Sequence, residues 1–163
     1  MNQKGGKESM DGERTGVKIC RDFDFPRKSV FNMFTDAKKA AKFWGPEGAV
    51  NLVFELEPRA GGVLRIHDRN SEGITFRTSG TIVEIVDPEL LVFRSATTPG
   101  DGAAPWEALQ RVTFDELGPK RTRVTAHVKI LTAGAFTGGV ESLEGGFQGG
   151  WGETFDRLQR ELR

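Results

Sequence analysis

The C-terminal part of the chain carries its longest periodic signal. Val140, Leu143, Phe147, Trp151, Phe155, Leu158 and Leu162 recur at spacings of 3, 4, 4, 4, 3 and 4. At about 100° per residue these positions fall on one stripe, so the segment predicts a helix with a single buried face. Upstream the period is two. Val50, Leu52, Phe54 and Leu56 alternate with Asn51, Val53, Glu55 and Glu57, the pattern of a half-buried strand. Residues 63–67 answer it across the turn chemistry of 58–62, and 74–86 read as a long strand in which Gly80 marks a bend or bulge. Residues 90–95, 108–116 and 122–130 continue the run, with a Gly-, Pro- and Ala-rich loop at 96–105. These six strands read as an antiparallel meander.

A further strand precedes them. Val17, Ile19, Arg21, Phe23 and Phe25 share one parity, with Arg21 the charged exception. Pro26 suits the first position of a helix, and Val30, Phe31, Met33 and Phe34 give the following turns an apolar side. Asp36 can cap a second helix that Ala37, Ala40 and Ala41 favour, and Gly45-Pro46 ends it. The expectation is an α+β domain over residues 15–163: a curved antiparallel sheet of about seven strands, two short helices within 27–44, and a long C-terminal helix. That helix has one obvious partner, the concave face of the sheet.

Glycine complicates the helix. Gly145, Gly146, Gly149, Gly150 and Gly152 fall in its first half, mostly off the apolar stripe. Each costs about 1 kcal/mol relative to alanine. Either burial of Phe147 and Trp151 holds this half as a soft lid over a pocket mouth, or residues 137–146 are loop and the helix starts later.

Composition narrows the function. Lys+Arg and Asp+Glu are both 23, and this balance argues against phosphate-dominated nucleic-acid binding and against an electrostatic membrane anchor. No apolar run reaches membrane-spanning length, and residues 1–14 read as a polar, disordered lead-in without a signal core. The single cysteine, Cys20, fits a reducing, cytoplasmic setting. It is expected to be a buried, inert thiol, the alternative being a thiol activated by Arg21. His67 and His127, the two histidines, give no zinc spacing with Cys20. Neither a nucleophile elbow nor a phosphate-binding loop is present. No catalytic residue, metal or cofactor is assigned.

The residues Phe25-Pro-Arg-Lys-Ser-Val30-Phe31-Asn-Met-Phe34-Thr35-Asp36, then Phe43-Trp44-Gly45-Pro46 and Gly61-Gly62, carry a resemblance. So do the strand containing Arg94, the hairpin from Val112 to Thr125, and the closing Gly150-Trp151…Phe155…Leu158 helix. The order and spacing of these pieces resemble the activator of heat-shock protein 90 ATPase homologue-like family of the START-like (SRPBCC) superfamily, over roughly residues 17–162. The resemblance implies a helix-grip fold, the same element order that periodicity yields. It also implies one of three roles: carriage of a lipid-like or polyketide-like molecule between sheet and helix, cyclase or dehydratase chemistry on such a molecule, or a co-chaperone-like protein interaction.

For a ligand site the expected residues are Trp44, Phe54, Phe76, Thr78, Phe93, Gln110, Val112, Phe147 and Trp151, with Phe114 and Phe155 as further apolar candidates. Gln110 and Thr78 share parity with apolar neighbours and supply polar anchors. Arg65, Arg77 and Arg94 could clamp an acidic group if they point inward, and His67 or Glu55 could move a proton under the enzymatic reading. His127 lies opposite Val124, Ala126 and Val128 and is expected on the solvent side. The expected partner is a small hydrophobic ligand, with a protein partner or a homodimer as further possibilities, no nucleic acid and no insertion into a membrane.

Overall fold

In the computed structural model, residues 16–133 and 139–163 are described. The lead-in expected at 1–14 lies outside them. The elements run β1 (Val17–Phe23), α1 (Arg27–Thr35), α2 (Ala37–Ala40), β2 (Val50–Leu56), β3 (Val63–Arg69), β4 (Thr75–Val86), β5 (Leu90–Pro99), β6 (Trp106–Gly118), β7 (Arg121–Thr132) and α3 (Gly139–Leu162). The strands form one sheet in the order β1-β7-β6-β5-β4-β3-β2, every neighbouring pair antiparallel. Strands β2 to β7 are thus a meander, closed at one end by the first strand.

The helical segment follows its local chemistry. Pro26 is extended (φ −61°, ψ 147°) and stands just before α1 rather than at its first position. The Asp36 carboxylate accepts hydrogen bonds from the Lys38 and Lys39 amides at 3.0 and 3.3 Å and starts α2, as its type and place predict. The apolar side of α1 delivers Val30, Phe31 and Phe34 to the core, where Phe34 meets Phe43 and Phe114 edge-to-face at 5.1 and 5.2 Å.

The sheet departs from simple alternation at two places that shape the interior. In β2 the register shifts between Asn51 and Val53. Val50 and Leu52 are therefore exposed, at 47% and 52%, instead of buried with Phe54 and Leu56. Asn51 turns inward, and its amide nitrogen donates to the carbonyls of Ala41 and Trp44 at 2.8 and 3.0 Å. In β4 the bulge lies between Ile82 and Glu84, not at Gly80. Gly80 instead sits in register opposite Ser95, where a Cβ would overlap the Arg94 carbonyl oxygen. It permits close approach of two strands.

Strands β5 and β6 are longer than composition suggests. Ala96, Thr97 and Thr98 pair with Ser79, Thr78 and Arg77, so the expected loop at 96–105 shrinks to 100–105. Ladder hydrogen bonds and the Thr78 Oγ1–Thr97 Oγ1 contact at 2.9 Å override the weak strand propensity of that stretch.

Helix α3 has 24 residues, so it continues through the glycines and begins at Gly139 rather than after Gly146. Leu143, Trp151, Phe155 and Leu158 are buried, Phe147 and Leu162 pack partly on the core, and Val140 is 47% exposed. Its polar anchors cluster in the second half. Arg157 Nη1 donates to the carbonyls of Trp44, Gly45 and Pro46 at 3.0–3.1 Å, and Nη2 to that of Lys42 at 3.1 Å. Arg21 explains its place on an apolar parity: it reaches Asp156 at 2.9 Å and lies 5.6 Å from the Phe155 ring centre. The outer face of β1 carries Cys20, which is exposed and unpaired, contrary to the expectation of a buried thiol.

Candidate binding cavity

Each inward residue is set by cross-strand register. Asn51, Asp68 and Phe76 form one row from β2 to β4, continued by Pro99 on β5. Ile66, Thr78, Thr97 and Trp106 form the next, and Leu64, Gly80, Ser95 and Ala108 the one after. Phe93 and Gln110 lie opposite each other beyond these. With the first half of α3 these rows border an open-mouthed cavity of about 730 Å³. That size is ordinary for a small-molecule site.

The walls are chiefly apolar and aromatic. The chain has three tryptophans, and Trp44, Trp106 and Trp151 all line the cavity. Trp44 and Trp151 meet edge-to-face at 5.8 Å, Trp44 lies 5.7 Å from Phe93, and Phe76 lies 6.3 Å from Trp106. Gly145, Gly146, Gly149 and Gly150 also border the space, and apart from the adjoining helix backbone a Cβ added at any of them would meet no atom of the described residues within 4 Å. The glycines that weaken α3 are therefore the ones that leave its cavity-facing flank bare.

Of the residues expected at a ligand site, Trp44, Phe76, Thr78, Phe93, Gln110, Phe147 and Trp151 line the cavity. Phe54 and Val112 do not: Val112 is fully buried, and Phe54 packs behind Trp44 with ring centres 5.5 Å apart. Phe114 and Phe155 are core residues as well. The bulge in β2 and the depth of β6 under α1 move these side chains away from the open space.

The polar groups are few and differ in state. Trp151 Nε1 donates to Gln110 Oε1 at 2.8 Å, a buried contact 41 residues apart in sequence. This leaves the Gln110 amide nitrogen with no protein acceptor among the described residues, at a side chain 8% exposed that borders the cavity. Ser95, 6% exposed, likewise lines the cavity with a hydroxyl that no described residue meets. Asp68 is half-buried, and burial pushes its carboxyl up to about 6, its own backbone amide opposing the shift.

Asp68, Asn51, Ser95, Thr97 and Trp106 were not among the expected residues. Asp68 was legible in principle, because it continues the parity of Leu64 and Ile66 if β3 runs past His67. Trp106 was hidden by ending a loop at 105 and starting the strand at 108. The other side of β3 settles the candidate acids and bases. Arg65 faces outward and forms a two-point contact with Glu55 at 2.8 and 2.9 Å, which holds the Glu55 carboxyl below its usual range. Arg94 pairs with Glu107, Arg77 is exposed opposite His67, and none of the three arginines lines the cavity. His127 lies on the outer face as expected, but it is half-buried and its Nε2 is enclosed without a partner. Among the described residues no group of three or more His, Cys, Asp or Glu side chains could hold a metal ion, and no helix is long and apolar enough to cross a membrane.

Comparison with known proteins places this arrangement. Residues 24–163 match the family described as Activator of Hsp90 ATPase homolog 1-like protein. No curated protein matches the chain. Solved structures share its architecture at low identity. The AHSA1 protein of Silicibacter pomeroyi is 20% identical, with a TM-score of 0.74 over 90% of this chain and 96% of its own. A Mycobacterium smegmatis protein is 18% identical, with a TM-score of 0.72 over 91% of each chain. A Nitrosomonas europaea protein is 20% identical, with a TM-score of 0.71 over 91% of this chain and 94% of its own. Such identities speak to the fold, which is the helix-grip fold of a curved seven-stranded sheet around a C-terminal helix. With its family match running from just before α1 to the end of α3 and the same sheet and helix in these relatives, the chain belongs to the Activator of Hsp90 ATPase homolog 1-like family.

Proposed function

We propose that this protein binds a small, largely apolar molecule in the hollow between the sheet and α3. The observation that carries this reading is the cavity of about 730 Å³, bordered by every tryptophan of the chain. Apolar walls supply affinity through area removed from water, and a few unpaired polar groups supply orientation. The bare glycine flank of α3 supports the same reading, because each missing side chain is volume left for an occupant. A cyclase or dehydratase would need a matched acid and base turned inward. Arg65, His67 and Glu55, the groups considered for that work, lie on the far side of β3 and β2 from the cavity.

Native mass spectrometry of gently purified protein, together with the indole N–H signals of Trp44, Trp106 and Trp151 by NMR, tests the proposal. A retained small molecule, or concerted movement of the three signals on adding apolar aromatic compounds, is the expected result. A clean apo mass with no movement overturns it. A second reading, a protein-binding module, is favoured by the family's description and by the exposed Val50, Leu52 and Val63 at the β2 end of the sheet, a free edge that also suits a homodimer. A partner captured by the apo protein and lost on Leu52→Lys would support it. The single exposed cysteine suits the reducing, cytoplasmic setting proposed here.

A further inference from the structure

We infer that the occupant of the cavity carries a basic nitrogen, held as an ammonium by Asp68 at the polar end of an aromatic-walled pocket. This rests on the binding role proposed above and names its ligand class. The charged residues that line the cavity are Asp68, Asp101 and Glu153, all acidic, and among the described residues no lysine or arginine lines it. Composition does not impose this, because the chain has equal numbers of basic and acidic residues. Arg65 is committed to Glu55 and Arg94 to Glu107 on the outer face, Arg157 to four backbone carbonyls, and the exposed Arg69 and Arg77 do not border the cavity.

Asp68 makes no ion pair with any described residue. The groups around it are Asn51 on β2, Phe76 on β4 and Pro99 on β5, with Asp101 just beyond and Glu153 on α3. None is cationic. Burial pushes its carboxyl up to about 6, so near neutral pH it is mostly a partly desolvated anion. An ammonium would supply the missing charge, and indole and phenyl faces would favour it over an anion. Independent of the acidic groups, Ser95 and Gln110 are residues more than nine-tenths buried that border the cavity, and the Ser95 hydroxyl and the Gln110 amide nitrogen have no protein partner among the described residues. They await hydrogen bonds from an occupant.

The test uses the full chain and three probes with one apolar body: naphthalen-1-ylmethylamine, naphthalen-1-ylmethanol and 1-naphthoate. Calorimetry at pH 7.5 and the three indole signals read binding. The expected result is an amine affinity at least tenfold above the alcohol and the acid, falling toward the alcohol's in Asp68→Asn. The amine's advantage should also shrink in the natural protein as pH drops from 7.5 to 5, where Asp68 takes up a proton. The pH series stands even if the variant fails to fold. Equal binding of all three probes, or preference for the acid, overturns the inference while leaving an apolar site intact. No binding by any probe overturns both.

Discussion

Trp151 on α3 and Gln110 on β6 are joined by a single buried hydrogen bond, indole Nε1 to amide Oε1 at 2.8 Å. It ties the middle of the helix to the centre of the sheet at the edge of the cavity. Trp151 is also stacked on Phe34 at 6.2 Å and lies 5.4 Å from Phe155. Trp151→Ala should therefore lose roughly 3–5 kcal/mol, through lost burial and the cavity left behind. Gln110→Leu should lose about 1–3 kcal/mol by stranding the indole donor. Urea unfolding measures both, and a Trp151→Ala loss below about 1 kcal/mol would contradict this packing.

The α3 glycines should behave unlike Gly80. Gly149→Ala adds a Cβ that, apart from the adjoining helix backbone, meets no atom of the described residues within 4 Å, so it should stabilise the protein by up to about 1 kcal/mol through helix propensity. Gly80→Ala must displace the Arg94 carbonyl or the Ser95 Cβ, at 2.9 Å, and should destabilise by about 1–3 kcal/mol. Thermal melts of the two single variants should shift in opposite directions.

Asp68→Asn should stabilise the apo protein above pH 6. Burial raises the folded-state pKa to about 6, above the unfolded value of about 3.9, so the native state holds its proton more tightly. Stability of the natural protein then falls as pH rises from about 4 to about 6 and levels off above that. The variant lacks this loss. Because Asp68 retains contact with solvent, the expected gain at pH 7 is discounted to roughly 1 kcal/mol. The gain should vanish by about pH 4, and a gain that persists there would assign the effect to another cause.

Arg157 should be irreplaceable by lysine. Its guanidinium spreads two nitrogens over the carbonyls of Lys42, Trp44, Gly45 and Pro46, closing the end of the α2 segment against α3. Arg157→Lys offers one compact ammonium and should lose about 1.5–3 kcal/mol, nearly as much as Arg157→Gln. Full stability in Arg157→Lys would show that charge alone holds this junction.

The amino-acid pattern by itself determined the element order, the meander and the buried stripe of α3. Each follows from local periodicity, since alternation by two and recurrence at 3 and 4 are written in neighbouring residues. It also singled out Trp44, Gln110 and Trp151, because large aromatics and polar residues on apolar parities are conspicuous in one dimension. Only the tertiary structure decided what borders the empty space. A one-residue bulge at Asn51–Val53 exchanged the faces of β2, extension of β3 by two residues turned Asp68 inward, and extension of β6 to Trp106 supplied a wall. Such changes come from hydrogen bonds between strands distant in sequence. The open volume itself is a difference between the curvature of the sheet and the reach of side chains on α3, a quantity no single segment contains.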